Sequence, residues 1–160
     1  MKILLPVDGS ALALDAVQHA LRLAREGLRA SFVLANVQEP TTLYEMMTVH
    51  DAEALRRMAE GAAAHALEPA QALLQNAGVE YEVVVGHGDA AHTLLDLAEE
   101  QQCEAIVMSA RGVGGFAATL GSVSRTVLHD GTLPVTIVRH AEPEAVEGDD
   151  LQDDLEAAGG

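Results

Sequence analysis

Apolar and polar positions alternate between two rhythms along this chain, short continuous apolar runs and longer segments with three- and four-residue spacing. Lys2 to Val7 is an apolar run bounded by Pro6, Asp8 and Gly9, which predicts a buried strand. Ser10 then caps a helix from about Ala11 to Glu26. Leu14, Val17, Leu21 and Ala24 form its apolar face, while Asp15, Gln18, Arg22 and Arg25 fall largely elsewhere. Ser31 to Val37 supplies a second strand. Pro40 and Thr41-Thr42 break the pattern before an Ala-rich helical region from about Leu43 to Asn76, in which Pro69 predicts a kink or a fresh N-terminus near Glu68. Glu80 to Val85 is a third strand, and Asp89 caps a helix over Ala90 to Gln101. A fourth strand, Glu104 to Ser109, a fourth helix, Ser122 to His129, and a fifth strand, Pro134 to Arg139, complete the order.

Strands alternating with helices predict an α/β fold, an open doubly wound five-stranded parallel sheet with helices on both faces, because each parallel crossover needs a helix and returns right-handed. In such sheets a ligand binds beyond the C-terminal strand ends, where successive connections go to opposite sides. With strand order 3-2-1-4-5 that point lies between the first and fourth strands. Their ends carry Pro6-Val7-Asp8-Gly9 and Met108-Ser109-Ala110-Arg111-Gly112.

The fourth strand runs into a loop with Gly112, Gly114, Gly115 and Gly121. Glycine lets an anion approach the main chain, and a helix opening at Gly121-Ser122 adds N–H donors and a positive dipole end, so the segment suits a phosphate. It is not a Walker A loop, since no Lys precedes Ser122, and it lacks GxGxxG spacing.

Composition narrows the functions. The 160 residues suit one domain, residues 1–140, followed by a segment, 141–160, that is expected to be a disordered acidic tail. Apolar residues make up 49% of the chain and aromatics 2%, so the core is Leu, Val, Ile and Ala, and base stacking on aromatic rings is disfavoured. A formal net charge of −16 disfavours nucleic-acid and anionic-membrane partners, although eight of the acids lie in the tail. Cys103 stands alone, which excludes an intramolecular disulfide and a Cys-based metal cage and fits a reducing compartment. No apolar run is long enough to span a membrane, and a cytoplasmic location is expected. The seven histidines form no convincing metal pair, and neither a GxSxG elbow nor paired carboxylates mark a catalytic centre.

LLPVDGS near the N-terminus, the loop SARGVGGFAATLGSVS and the ending LPVTIVR resemble the universal stress protein family over residues 1 to about 140. Nucleotide-binding members of that family carry G-x-x-G, nine residues, then G-S/T. Here the matching positions are Ser109, Gly112, eight residues, then Gly121-Ser122, so one glycine is replaced and the spacer is one residue short. The resemblance implies an ATP-binding domain that uses Asp8, Val37 near the base, Met108 and the Gly/Ser loop. Asp8, an acceptor when ionised, suits the adenine amino group or a ribose hydroxyl and repels phosphate. Gly112, Gly121, Ser122, Val123 and Ser124 would offer donors to the phosphates, with Arg111 alongside and Mg²⁺ or Mn²⁺ carried by the phosphates.

Each residue also has a plainer role. Asp8 can be a turn residue, Ser122 the helix cap, Ser124 and Arg125 exposed helix positions, and Val37 and Met108 ordinary strand residues. The Cβ of Ser109 is expected to narrow the pocket. The expected function is a regulatory adenine-nucleotide binder in the stress response, with at most slow ATP hydrolysis. The alternative is a dimeric interaction module that has lost the nucleotide. Val135, Ile137 and Val138 on the apolar fifth strand are the expected homodimer contacts, since an exposed edge tends to be paired and the family's dimers pair through this strand.

Overall fold

A computed structural model of the chain describes residues 1–40, 47, 51–111 and 120–140. Its elements are β1 (Lys2–Pro6), α1 (Ala11–Arg25), β2 (Ser31–Gln38), α2 (Ala52–Ala77), β3 (Tyr81–His87), α3 (Ala90–Glu100), β4 (Ala105–Ser109), α4 (Ser122–Asp130) and β5 (Val135–Val138). The strands form one parallel sheet in the order β3-β2-β1-β4-β5, as the pattern predicts.

Because both faces are covered, the inner strands are apolar at nearly every position and successive side chains serve different cores. Ile3, Leu5, Val7, Phe32, Leu34 and Val107 pack with Ala16, Val17, Ala20 and Leu21 of α1 and with Leu67, Ala70 and Leu74 of α2. Leu4, Val33, Ala35, Ile106 and Met108 pack on the opposite face with Ala91, Leu94 and Ala98 of α3 and Val127 of α4. At the β3 edge Val83 and Val85 remain exposed. The predicted tail, 141–160, and the first part of the predicted second helical region lie outside the described residues.

Pro69 does not start a new helix, since α2 runs unbroken from Ala52 to Ala77. A proline inside a helix removes the bond to the carbonyl four residues back, here that of His65. Pro69 and His65 are both on the exposed face, where water can take that carbonyl, and Leu67, Ala70 and Leu74 anchor the helix on the buried face.

A buried polar residue braces the end of β1. Asn36, 3% exposed, donates from Nδ2 to the Val7 carbonyl at 2.8 Å and accepts from Gln38 Nε2 at 2.5 Å, while Val7 N–H donates to the Ala35 carbonyl at 2.8 Å. Asn36→Ala leaves the Val7 carbonyl without its amide partner and is expected to cost about 1–3 kcal/mol. Thermal unfolding should show this as a drop of several degrees in Tm.

The cap of α3 carries a titrating pair. Asp89 accepts from His92 N–H at 3.0 Å and lies 2.6 Å from His92 Nδ1. The backbone bond from His92, then the side-chain bond, lowers the Asp89 pKa from its ordinary 3.8, and the bond to Asp89 raises that of His92 from 6.5. The His92 contribution to stability is full below pH 6.5 and is lost as pH rises through its raised value. The Asp89 contribution is full above pH 3.8 and is lost as pH falls through its lowered value. NMR titration should therefore find His92 above its ordinary value, and Asp89→Asn should bring it back towards 6.5.

Candidate functional site

The first connection leaves β1 through α1 on one face, and β4 leaves through α4 on the other. The C-terminal ends of β1 and β4 are therefore the topological switch point, where the chain departs to opposite faces of the sheet. Pairing between these strands is registered at Ile3↔Ala105 and Leu4↔Ile106, although β1 continues to Pro6 and β4 to Ser109. Pro6 accounts for the early end. Successive strand N–H groups alternate sides, and Val7 donates towards β2, so the donor that Pro6 lacks is the one that would face β4.

A cleft of about 670 Å³ lies at this point. Pro6, Val7 and Asp8 reach it from the end of β1, Val37 from β2, and Met108, Ser109 and Arg111 from the end of β4. Gly121, Ser122, Val123 and Ser124 reach it from the start of α4. Eleven of the twelve residues expected from the sequence thus line one cleft, and Gly112 lies outside the described residues. Ala13, Ala35, Glu39, Ala90 and Leu94 also line it. The small apolar ones carry no local sign that separates them from core residues. Glu39, just past the end of β2, follows from the same strand-end rule that selects Asp8.

The base of the glycine loop is closed by hydrogen bonds. The Ala110 carbonyl accepts from Gly121 N–H at 2.8 Å and from Ser124 Oγ at 3.2 Å, and Ser124 Oγ is also 3.0 Å from the Ser109 carbonyl. Ala110 N–H donates to Val138 of β5 at 2.8 Å. A Cβ on Gly121 would stand 3.3 Å from the Ala110 oxygen, a tight approach that glycine relieves.

Two expectations are corrected by this geometry. Ser124 is no exposed helix position, being 3% exposed with its hydroxyl proton directed to the β4 end, so its backbone N–H rather than its hydroxyl is the donor it can present to a ligand. Gly121, not Ser122, caps α4, and Ser122 is the first helical residue. The Ser109 hydroxyl folds back to donate to the Arg111 carbonyl at 2.6 Å.

The four helices given above differ at their N-termini. Ser10 accepts from Ala13 N–H in α1, Asp51 from Glu53 N–H in α2, and Asp89 from His92 N–H in α3. α4 begins at a glycine, with no capping side chain among the described residues. Its first residues, Ser122, Val123 and Ser124, line the cleft, and their N–H groups precede the first intrahelical bond, from Arg125 to Gly121. Asp8 serves the α1 turn, accepting from Ser10 N–H at 3.0 Å and Ser10 Oγ at 2.6 Å, with Gly9 at φ +84° packed against Ala66. The cleft thus has carboxylates, Asp8 and Glu39, at the ends of β1 and β2, and Arg111 with a positive helix end beside β4.

Among the described residues no group of three or more His, Cys, Asp and Glu could hold a metal ion. Cys103 is buried in the α3/α4 core, and burial pushes its thiol up, which suits packing rather than nucleophilic attack. Among the described residues no helix is long and apolar enough to cross a membrane.

Comparison with known proteins agrees with this architecture. The model of the universal stress protein family matches residues 1–139. The universal stress protein YxiE of Bacillus subtilis is 30% identical over 145 residues, covering 86% of this chain and 98% of its own. Three solved structures share the fold at lower identity. Universal stress protein UspA of Lactobacillus plantarum has a TM-score of 0.71 at 22% identity, over 87% of this chain and 97% of that one. A universal stress protein in complex with cAMP gives 0.66 at 23%, over 89% and 98%. A family member from Arabidopsis thaliana with AMP bound gives 0.64 at 16%, over 91% and 97%. Parallel order, switch-point cleft and family match together show that this chain belongs to the universal stress protein family.

Proposed function

We propose that the cleft between β1 and β4 binds an adenine nucleotide, ATP included, as a regulatory ligand of a cytoplasmic stress-response protein. The observation that carries this reading is the N-terminus of α4, which has no capping side chain among the described residues and whose first residues, Ser122, Val123 and Ser124, line the cleft, while α1, α2 and α3 are each capped by a side chain. A phosphate supplies the acceptors and negative charge that such a helix end favours. Asp8 and Glu39 repel phosphate and belong to the ribose and base end, beside the apolar wall of Val37 and Met108. The complexes of relatives with cAMP and AMP support the same ligand class. Mg²⁺ or Mn²⁺ enters with the phosphates of ATP. The reading requires binding and no catalytic step.

The Ser109 hydroxyl, engaged with Arg111, is compatible with this reading, since the added side chain folds onto its own turn. We also propose a homodimer through the β5 edge, with Val135, Ile137 and Val138 as contacts. All three are only half-buried in the single chain.

Calorimetric titration should give saturable binding of ATP or AMP with a Kd below about 1 mM, corresponding to more than about 4 kcal/mol. Binding weaker than this for both nucleotides overturns the reading and leaves the interaction-module alternative. Ser122→Asp separates phosphate contact from folding. A carboxylate in the first turn stabilises α4 by about 0.3–1 kcal/mol, so Tm should hold or rise. The same charge should weaken ATP and AMP at least about tenfold, roughly 1.4 kcal/mol, while adenosine is unaffected. Unchanged ATP affinity in this variant would place the phosphates elsewhere.

A further inference from the structure

The chain leaves the described fold at His140, and that exit is fastened to α1, with His140 Nδ1 2.7 Å from Asp15 Oδ2. Asp15, Gln18, Arg22 and Arg25 follow at three- and four-residue steps, so one stripe of α1 leads from the exit to two arginines. Arg22 and Arg25 line a groove of about 420 Å³ between α1 and α2, over an apolar floor of Leu21 and Leu73 and beside the amides of Gln18 and Asn76. Two other cations are already paired, Lys2 with Glu82 and Arg56 with Glu53 and Glu60. Neither Arg22 nor Arg25 has a carboxylate partner among the described residues. As last-turn cations they complement the α1 dipole, but that leaves their guanidinium forks without a bidentate acceptor.

Twenty residues follow His140, and from Glu142 to Glu156 they carry eight acids and no base. Residues 1–140 hold 17 acids against 9 bases, so most of the folded surface repels such a segment. Along α1, Arg22 is about 10 Å and Arg25 about 15 Å from Asp15. An extended chain covers that span in about four or five residues. Glu144, Glu147, Asp149 and Asp150 come within reach, with Val146 and Leu151 interspersed to meet the apolar floor.

We propose that the acidic C-terminal segment docks in cis along α1, its carboxylates on Arg22 and Arg25 in the α1/α2 groove. The occupant is the chain's own tail because its tether starts on the same helix stripe and its charge matches the two arginines. This surface is separate from the nucleotide cleft, so the proposal stands apart from that reading.

The test uses the full chain with a nitroxide on Gly148→Cys in a Cys103→Ala background, observed by amide NMR. The oxidised label should erase the signals around Arg22 to Arg25 and Leu73 to Ala77, and reduction of the label should restore them. The signals should also return in Arg22→Glu/Arg25→Glu and at about 0.5 M salt, where screening is short-ranged. They should stay erased in Arg22→Lys/Arg25→Lys, which keeps the charge. A dispersed spectrum for each variant shows that the fold is intact. Broadening centred on another element, or unchanged by charge reversal, overturns the proposal. Broadening passed from labelled to isotope-enriched unlabelled chains in a mixture also overturns it, because the tail would then engage a second copy.

Discussion

Parallel pairing is the constraint from which the rest of this structure follows. Neighbouring parallel strands must be joined by a crossover, and here each crossover contains a helix that starts at the C-terminal edge of the sheet. The positive ends of α1, α2, α3 and α4 are therefore on the same side of the sheet. The split between α1/α2 on one face and α3/α4 on the other then leaves one gap at that edge, between β1 and β4. Pro6 widens the consequence, since the donor it lacks is the one that would have carried β1–β4 pairing further.

Around that gap, polar groups are distributed unevenly. Ser10, Asp51 and Asp89 satisfy donors of their own helices, and Asp8 is drawn into the turn before α1. The Ala110 and Ser109 carbonyls are held by Gly121 and Ser124, which fixes the start of α4 against the end of β4. A rigid helix end without a capping side chain is then presented to the cleft. Holding donors in place before a ligand arrives removes part of the ordering cost of binding. Asn36 does the corresponding work on the opposite wall, tying the end of β1 to β2 from a buried position.

The order of elements and most of the cleft wall were legible because they depend on patterns within a few residues. Apolar runs and helical spacing mark the strands and helices, and the parallel arrangement then assigns Asp8, Val37 and Met108 to one edge. Glu39 could have been added by the same rule. Ala13, Ala35 and Ala90 could not, since an alanine facing a cleft and one facing a core look alike in sequence. Ser124 illustrates a different limit. Its spacing from Gly121 gives no sign that its hydroxyl reaches carbonyls fourteen and fifteen residues earlier in the chain. Pro69 shows the converse, since of the kink or fresh helix start that it predicts the fresh start does not occur, with Pro69 and His65 exposed while the buried side of α2 stays packed.

By itself, then, the sequence determined the alternation of elements, the sheet class and the strand ends that flank the site, because hydrophobic periodicity and glycine placement act locally. Only the tertiary structure decided which helix N-terminus is left uncapped on the cleft, where the Ser109 and Ser124 hydroxyls point, and that His140 meets Asp15 across 125 residues. Those contacts depend on the distance and direction between atoms brought together by packing, and residue order along the chain carries neither.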